Sequence, residues 1–214
     1  VSSQYFGLSI RFFGLPEMSG HGTRKISLAP HEDYAFVFHD VSFCYPNSDT
    51  VVLDHLNLTI SRGQRLAVVG MNGAGKTTMI KLLCRFYQPT SGTITLNGVD
   101  IQEYDFQDYA KLFSVVFQDF HLFSVTLEQN VAAGLRADKA RLEQSMKTAG
   151  LDALLEELKG DYSVAIGKQF DEEGRDFSGG EEQKIAIARA LYKDAPVVVL
   201  DEPTAALDPI TEFE

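Results

Sequence analysis

Hydrophobic and polar positions divide the chain into stretches of different period. From Ala35 the pattern is that of strands: Val41, Phe43 and Tyr45 alternate with Ser42 and Cys44, and Pro46, Asn47, Ser48 and Asp49 make a turn. Residues 51–60 form a second apolar stretch, closed by Ser61, Arg62 and Gly63. Residues 66–69 are apolar without interruption, as a short buried parallel strand should be. The period then becomes helical: within 78–86, Ile80, Leu83 and Cys84 share one face, with Lys81 and Arg85 opposite. Residues 92–97 predict another strand, ended by Asn97 and Gly98, and 112–117 a core strand that stops at Gln118. Leu127 with Val131, Leu142 with Met146, and Leu151 with Leu154 and Leu155 make 126–158 mostly helix. A charged loop over 171–177 precedes a strong helix pattern over 178–192, and 196–200 is a proline followed by four apolar residues, ending at Asp201 and Glu202. The expected architecture is α/β with a mainly parallel core sheet, an antiparallel β part beside it, and a helical insertion between two core strands.

Residues 1–33 do not follow these patterns. Tyr5, Phe6, Phe12 and Phe13 make 1–15 aromatic-rich at helix-compatible spacing, Pro16 to Gly20 end it, and 20–30 are polar and turn-rich, as a linker is. Two readings stand: a poorly ordered leader, or the tail of an upstream domain.

Charge and composition narrow the partners. A formal net charge of −11 argues against a nucleic-acid surface, which needs a basic stripe. Two cysteines, Cys44 and Cys84, suggest a reducing compartment without a disulfide framework, each thiol serving as a small buried hydrophobe. No segment approaches 18 apolar residues, so no bilayer span is expected, and the start lacks the pattern of a secretory signal.

Three motifs carry chemistry. Residues 70–78 read G-M-N-G-A-G-K-T-T and contain G-x-x-x-x-G-K-[ST], with Gly70, Gly75, Lys76 and Thr77 in its fixed places. Glycines let successive backbone N–H groups touch phosphate oxygens where a Cβ would obstruct them. Lys76 is a point charge for β- and γ-phosphates, the Thr77 hydroxyl is a Mg²⁺ ligand, and the helix that starts here adds its positive end. Gly70, Asn72, Gly73, Ala74, Gly75, Lys76, Thr77 and Thr78 are therefore the expected phosphate contacts for ATP or GTP. A Gly-rich turn without ligand is the plainer reading, and the strand pattern before the loop and the helix pattern after it argue against that.

The second motif is the Asp201–Glu202 pair closing an apolar strand. Asp201 would hold Mg²⁺ through water, and Glu202 would polarise the attacking water. An ordinary strand end is the alternative, which the phosphate loop disfavours. The third is F-S-G-G-E, Phe177 to Glu181, opening the next helix. The Ser178 hydroxyl and the free amides of Gly179 and Gly180 form a second anion-binding geometry, or simply a helix capped by Ser178. One ATP hardly needs two cradles, so this one suits the γ-phosphate of a nucleotide held by a different subunit.

In order and spacing these motifs resemble the ATP-binding cassette (ABC) family over roughly residues 34–214: the phosphate loop, S-G-G before K-I-A-I-A-R-A-L, and V-V-V-L-D-E-P-T-A-A-L-D. The distance from Lys76 to Ser178 resembles a compact transporter cassette, not the chromosome-maintenance relatives with inserted coiled coils. Gln118 and Asp119, with Leu122, Phe123 and Ser124 following, are similar to the exporter branch, as is the segment from Asp171 to Arg175. The resemblance implies a P-loop NTPase core, an antiparallel β subdomain, and a helical subdomain at about 119–178. It implies an ATPase with ATP and Mg²⁺ as cofactors, serving as the nucleotide-binding domain of an exporter at the cytoplasmic face of the cell membrane. Its partners would be a second nucleotide-binding domain and a transmembrane domain, with no nucleic acid.

Residue by residue, the family implies that Tyr45 stacks on adenine; a core aromatic is the other reading of that position. Gln118 would contact Mg²⁺ and the attacking water, with Thr77 and Asp201 as the other metal-side groups. Glu202 would be the catalytic base beside Gln118 and Lys76, and Asp208 would contact the partner. Ser178, Gly179 and Gly180 would close on ATP in trans. Departures from the family are Phe177 and Glu181, where Leu and Gln are commoner, and a chain that stops at Glu214 before the family's switch histidine. His21, His31, His39, His55 and His121 do not occupy that position; His121 would lie at the surface or meet the membrane domain. The missing histidine and C-terminal part of the core lead us to expect weak catalysis from the fragment; a membrane domain is absent, and residues 1–33 resemble the linker to it. Other expectations are a soluble, non-transport ABC ATPase or regulatory module, and one half of a heterodimeric exporter.

Overall fold

A computed structural model of the chain describes residues 22–26, 33–133, 137–167 and 174–201. It divides into two compact units, Val1–Ala110 and Lys111–Glu214.

The first unit is built on a four-stranded antiparallel sheet in the order β2-β1-β3-β4, with β1 at Ala35–Cys44, β2 at Val51–Ser61, β3 at Ser91–Leu96 and β4 at Val99–Asp100. Phe36, Phe38, Val41 and Phe43 of β1 are buried. Strict alternation would bury the residue after His39, but an irregularity between Phe38 and Val41, with Asp40 at φ 52°, shifts the phase and keeps His39 and Asp40 in solvent. Asn97 and Gly98, at φ 52° and 79°, form the two-residue turn joining β3 to β4, and both need the left-handed region that this sequence tolerates. Helix α1 spans Lys76–Leu83, and a short α2 spans Phe106–Ala110. Tyr109 of α2 ties the layers together: its ring meets Phe36 edge-on at 6.4 Å, and its hydroxyl donates to the Leu83 carbonyl at 2.7 Å.

Two expectations in this unit are corrected. Residues 66–69 form no strand ladder, and Leu66, Val68 and Val69 are 41%, 43% and 91% exposed. An unbroken apolar run becomes a buried strand only where strands flank it, and no strand of the sheet in its own unit pairs with this one. Arg85 does not face solvent opposite the apolar stripe. Helix α1 ends at Leu83, Arg85 takes a left-handed backbone at φ 61°, and its side chain turns inward. The guanidinium donates to the Tyr104 carbonyl at 2.9 Å and stacks over Phe106 and Tyr109. Within the stretch read as a linker, Arg24 bridges to Tyr104 and Lys25 pairs with Asp105 and Asp108; residues 1–21, and the aromatic helix expected there, lie outside the described residues.

The second unit holds the parallel pair β5 (Phe113–Val116) and β6 (Val197–Leu200), with the helices α3 (Leu127–Val131), α4 (Lys139–Thr148), α5 (Asp152–Leu158) and α6 (Gly179–Lys193) between them in sequence. A parallel pair needs such a crossover. Leu127, Leu142, Met146, Ile185 and Ala188, all fully buried, form the centre of the helical core. Asn130, also buried, holds the preceding loop: its side chain accepts from the Phe123 N–H and donates to the carbonyls of Phe123 and Thr126. Among the described residues no helix is long and apolar enough to cross a membrane.

Candidate functional site

Within the first unit, residues 70–78 wrap into the start of α1. Gly73 and Gly75 sit at φ 82° and 88°, and Ala74 N–H closes a turn onto the Met71 carbonyl at 3.1 Å. At Gly75 a Cβ would meet Leu53 Cδ2 at 2.8 Å and the Val52 carbonyl at 3.0 Å, so both conformation and space require glycine. No side chain caps α1, which leaves its first amides pointing out of the helix end. The Lys76 ammonium folds across the loop and donates to the carbonyls of Gly70 and Met71, at 2.9 and 3.2 Å. Left-handed glycines leading into an uncapped helix, with a lysine folded across the loop, can hold a polyphosphate. Asn72, Gly73 and Ala74 are exposed, Lys76 and Thr77 half-buried, and Thr78 buried.

Tyr45 stands at the end of β1 beside this loop. Its hydroxyl lies 2.9 Å from Thr78 Oγ1, and its ring meets Phe43 and Tyr87 edge-on, at 5.0 and 5.2 Å. The Lys81 ammonium lies 6.0 Å from the ring centre. The structure thus brings Tyr45 against Thr78, at the end of the loop, on an aromatic platform in which Tyr87 carried no prior signal.

Within the second unit, Gln118 and Asp201 leave neighbouring strand ends. Val116 pairs with Leu200, and the Asp201 N–H donates to the Val116 carbonyl at 2.9 Å. Gln118 is exposed and Asp201 is 5% exposed, at the carboxyl ends of parallel strands where ligands of open α/β sheets bind. Glu202 and Asp208 lie outside the described residues.

Ser178 caps α6 in a capping box with Glu181. The Ser178 N–H and hydroxyl both donate to Glu181 Oε2, at 2.9 and 2.8 Å, and the Glu181 N–H returns to Ser178 Oγ at 3.3 Å. Donation from the Ser178 backbone, then from its hydroxyl, holds the Glu181 carboxyl below the ordinary glutamate range. Gly179 is open to solvent. Arg175 binds Glu157 at 2.7 Å, approaches Glu181 at 3.6 Å and lies over the Phe177 ring. Only the Ser178 cap was expected, and the S-x-x-E spacing is the signal that could have found the box; the reach of Arg175 had no signal in the sequence.

A glycine-rich loop opening an uncapped helix, and a buried aspartate closing a parallel strand, are features of the P-loop nucleotide-binding proteins. The model of one such family, "ABC transporter", matches residues 53–205. The chain is 38% identical over its full length to the subtilin transport ATP-binding protein SpaT of Bacillus subtilis, covering 35% of that protein. It is 37% identical over 203 residues to an ATP-dependent lipid A-core flippase of Burkholderia orbicola, covering 94% of this chain and 33% of that one. Among solved structures it is similar to a bacterial Atm1-family ABC exporter with ATP bound, at a TM-score of 0.77 and 33% identity, covering 89% of this chain and 32% of that one. The chain belongs to the ABC transporter family, as a nucleotide-binding domain of the P-loop fold. It spans about a third of the length of these relatives.

Proposed function

We propose that the chain binds ATP at residues 70–78 and hydrolyses it to drive export across a membrane, as the nucleotide-binding part of a longer transporter. One observation carries this reading: the left-handed Gly73 and Gly75 lead into the uncapped start of α1 with Lys76 across the loop, in a chain of this family. The amides of the loop and Lys76 take the phosphates, and Tyr45 offers its ring to the adenine.

By type these donors suit Mg²⁺: the Thr77 hydroxyl of the first unit, and the Gln118 amide oxygen and Asp201 carboxylate of the second, would each offer it an oxygen, and one carboxylate complemented by phosphate oxygens is this ion's usual protein share. The ion, when bound, offsets charge on the phosphates. Gln118 orients the attacking water, Glu202 takes a proton from it, and Lys76 neutralises charge on the phosphate oxygens as ADP and phosphate separate.

Ser178, Gly179 and Gly180 present a second anion-binding turn, which serves the γ-phosphate of ATP held by a second nucleotide-binding domain. Closure of that pair around ATP, and reopening after hydrolysis, would be passed to a transmembrane domain by the loop after Gln118, at the cytoplasmic face of the membrane. Glu202→Gln in the full-length protein tests the assignment. Turnover should fall by about 10²-fold or more while ATP binding persists and the closed dimer accumulates. Turnover equal to the parent would contradict it.

A further inference from the structure

We infer that Glu181 restrains the anion-binding turn at the start of α6, by holding the hydroxyl proton of Ser178 and setting a carboxylate where a γ-phosphate must approach. The inference rests on the trans role proposed for Ser178 and deepens it.

A serine hydroxyl has one proton to give. Here the carboxylate accepts it at 2.8 Å, together with the Ser178 N–H at 2.9 Å. An arriving phosphate therefore meets oxygen lone pairs unless the hydroxyl turns away from a charge-assisted bond. The carboxylate itself is fixed in place. Arg175 approaches its other oxygen at 3.6 Å, but the same guanidinium sits closer to Glu157, at 2.7 Å, so its positive charge is divided between two acids. Asp176 and Glu182 add negative charge nearby in the chain, against which Lys184 sets one further positive charge. Bonds from Ser178 to the ionised form keep Glu181 charged at neutral pH. A glutamine at this position could accept the same two bonds, but it would neither repel the phosphate nor hold the hydroxyl as firmly. The positive end of α6 is thus occupied by the chain's own anion, and closure on nucleotide must displace it.

The test is ATP turnover by the full-length transporter against ATP concentration, with the thermal midpoint measured on each variant. Glu181→Gln should lower the half-saturating ATP concentration by about three- to tenfold at low salt, and the gain should shrink as salt is raised. Glu182→Gln removes the same charge one residue along without touching the Ser178 hydroxyl, and should move the value less than half as far. An unchanged or higher half-saturation for Glu181→Gln overturns the inference, including the case in which only its thermal midpoint falls. An equal gain in both variants overturns it too, leaving general charge as the cause. Lys76→Ala, run alongside, separates the levels. If it abolishes turnover while Glu181→Gln is inert, the role of Glu181 alone fails. If Lys76→Ala turns over ATP like the parent, the reading of the site fails and this inference with it.

Discussion

The hydroxyl of Tyr45 lies 2.9 Å from Thr78 Oγ1, so the ring that ends β1 is tied to the first turn of α1, where the phosphate loop enters the helix. Thr78 is buried, and the Tyr45 ring is braced by Phe43 and Tyr87. The aromatic and the loop are positioned as one piece. Tyr45→Phe keeps the ring and removes only this link. It should cost about 1 kcal/mol, read as a lowered thermal midpoint by circular dichroism, while ATP affinity falls less than in Tyr45→Ala. Equal affinity losses in the two variants would show that the ring itself contributes nothing.

Gly75 is held at φ 88° with Leu53 and the Val52 carbonyl against it. Gly75→Ala should destabilise the first unit by about 1–3 kcal/mol and weaken ATP binding, because both strain and collision fall on the loop. Gly73, at φ 82° with open space around it, carries only the strain. Gly73→Ala should therefore be the milder of the two when thermal midpoints are compared.

Asn130 is 1% exposed and anchors the loop that follows Gln118 from both sides, also accepting from Arg189 at 2.8 Å. Burial depresses the basicity of Arg189, whose guanidinium reaches the Asn130 carbonyl and lies over the Phe123 ring. Asn130→Ala should cost about 2–3 kcal/mol, since it strands several buried groups at once. Hydrogen exchange at the Phe123 amide should quicken in the same variant.

Glu181 offers a pH signature. Its folded carboxyl is held below the ordinary glutamate value of 4.5, chiefly by the Ser178 N–H. Its contribution to stability is therefore full above that value and is lost as pH falls through the lower folded one. The thermal midpoint of the parent should exceed that of Glu181→Gln at neutral pH, and the gap should close in acid below 4.5. A gap that stays constant from neutral pH into strong acid would show that the charge has no part in the cap.

Local period and turn chemistry made most elements legible. Alternation foretold β1, the run 92–97 foretold β3 with Asn97 and Gly98 marking its end, and the leucine spacing over 126–158 foretold α3, α4 and α5. The phosphate loop was legible because its glycines are required by backbone geometry, which spacing alone records. What failed depended on neighbours. The run 66–69 has the composition of a buried strand, but burial is a property of flanking strands, and here the residues are exposed. Arg85 looked like a surface cation because a helical wheel assumes the helix continues, whereas α1 stops two residues earlier. Asn130 and Arg175 had no periodicity to betray them, since their roles come from contacts with residues distant in the chain.

The account stands on residues 70–78 holding ATP through its phosphates, and Lys76 is the charged side chain of that loop. The direct measurement is Mg-ATP affinity, by equilibrium binding of a fluorescent ATP analogue, for the full-length parent and for Lys76→Ala. Loss of a charge-assisted contact to the phosphates should weaken binding by about tenfold or more with little change in thermal midpoint. Binding by Lys76→Ala as tight as by the parent would contradict the account.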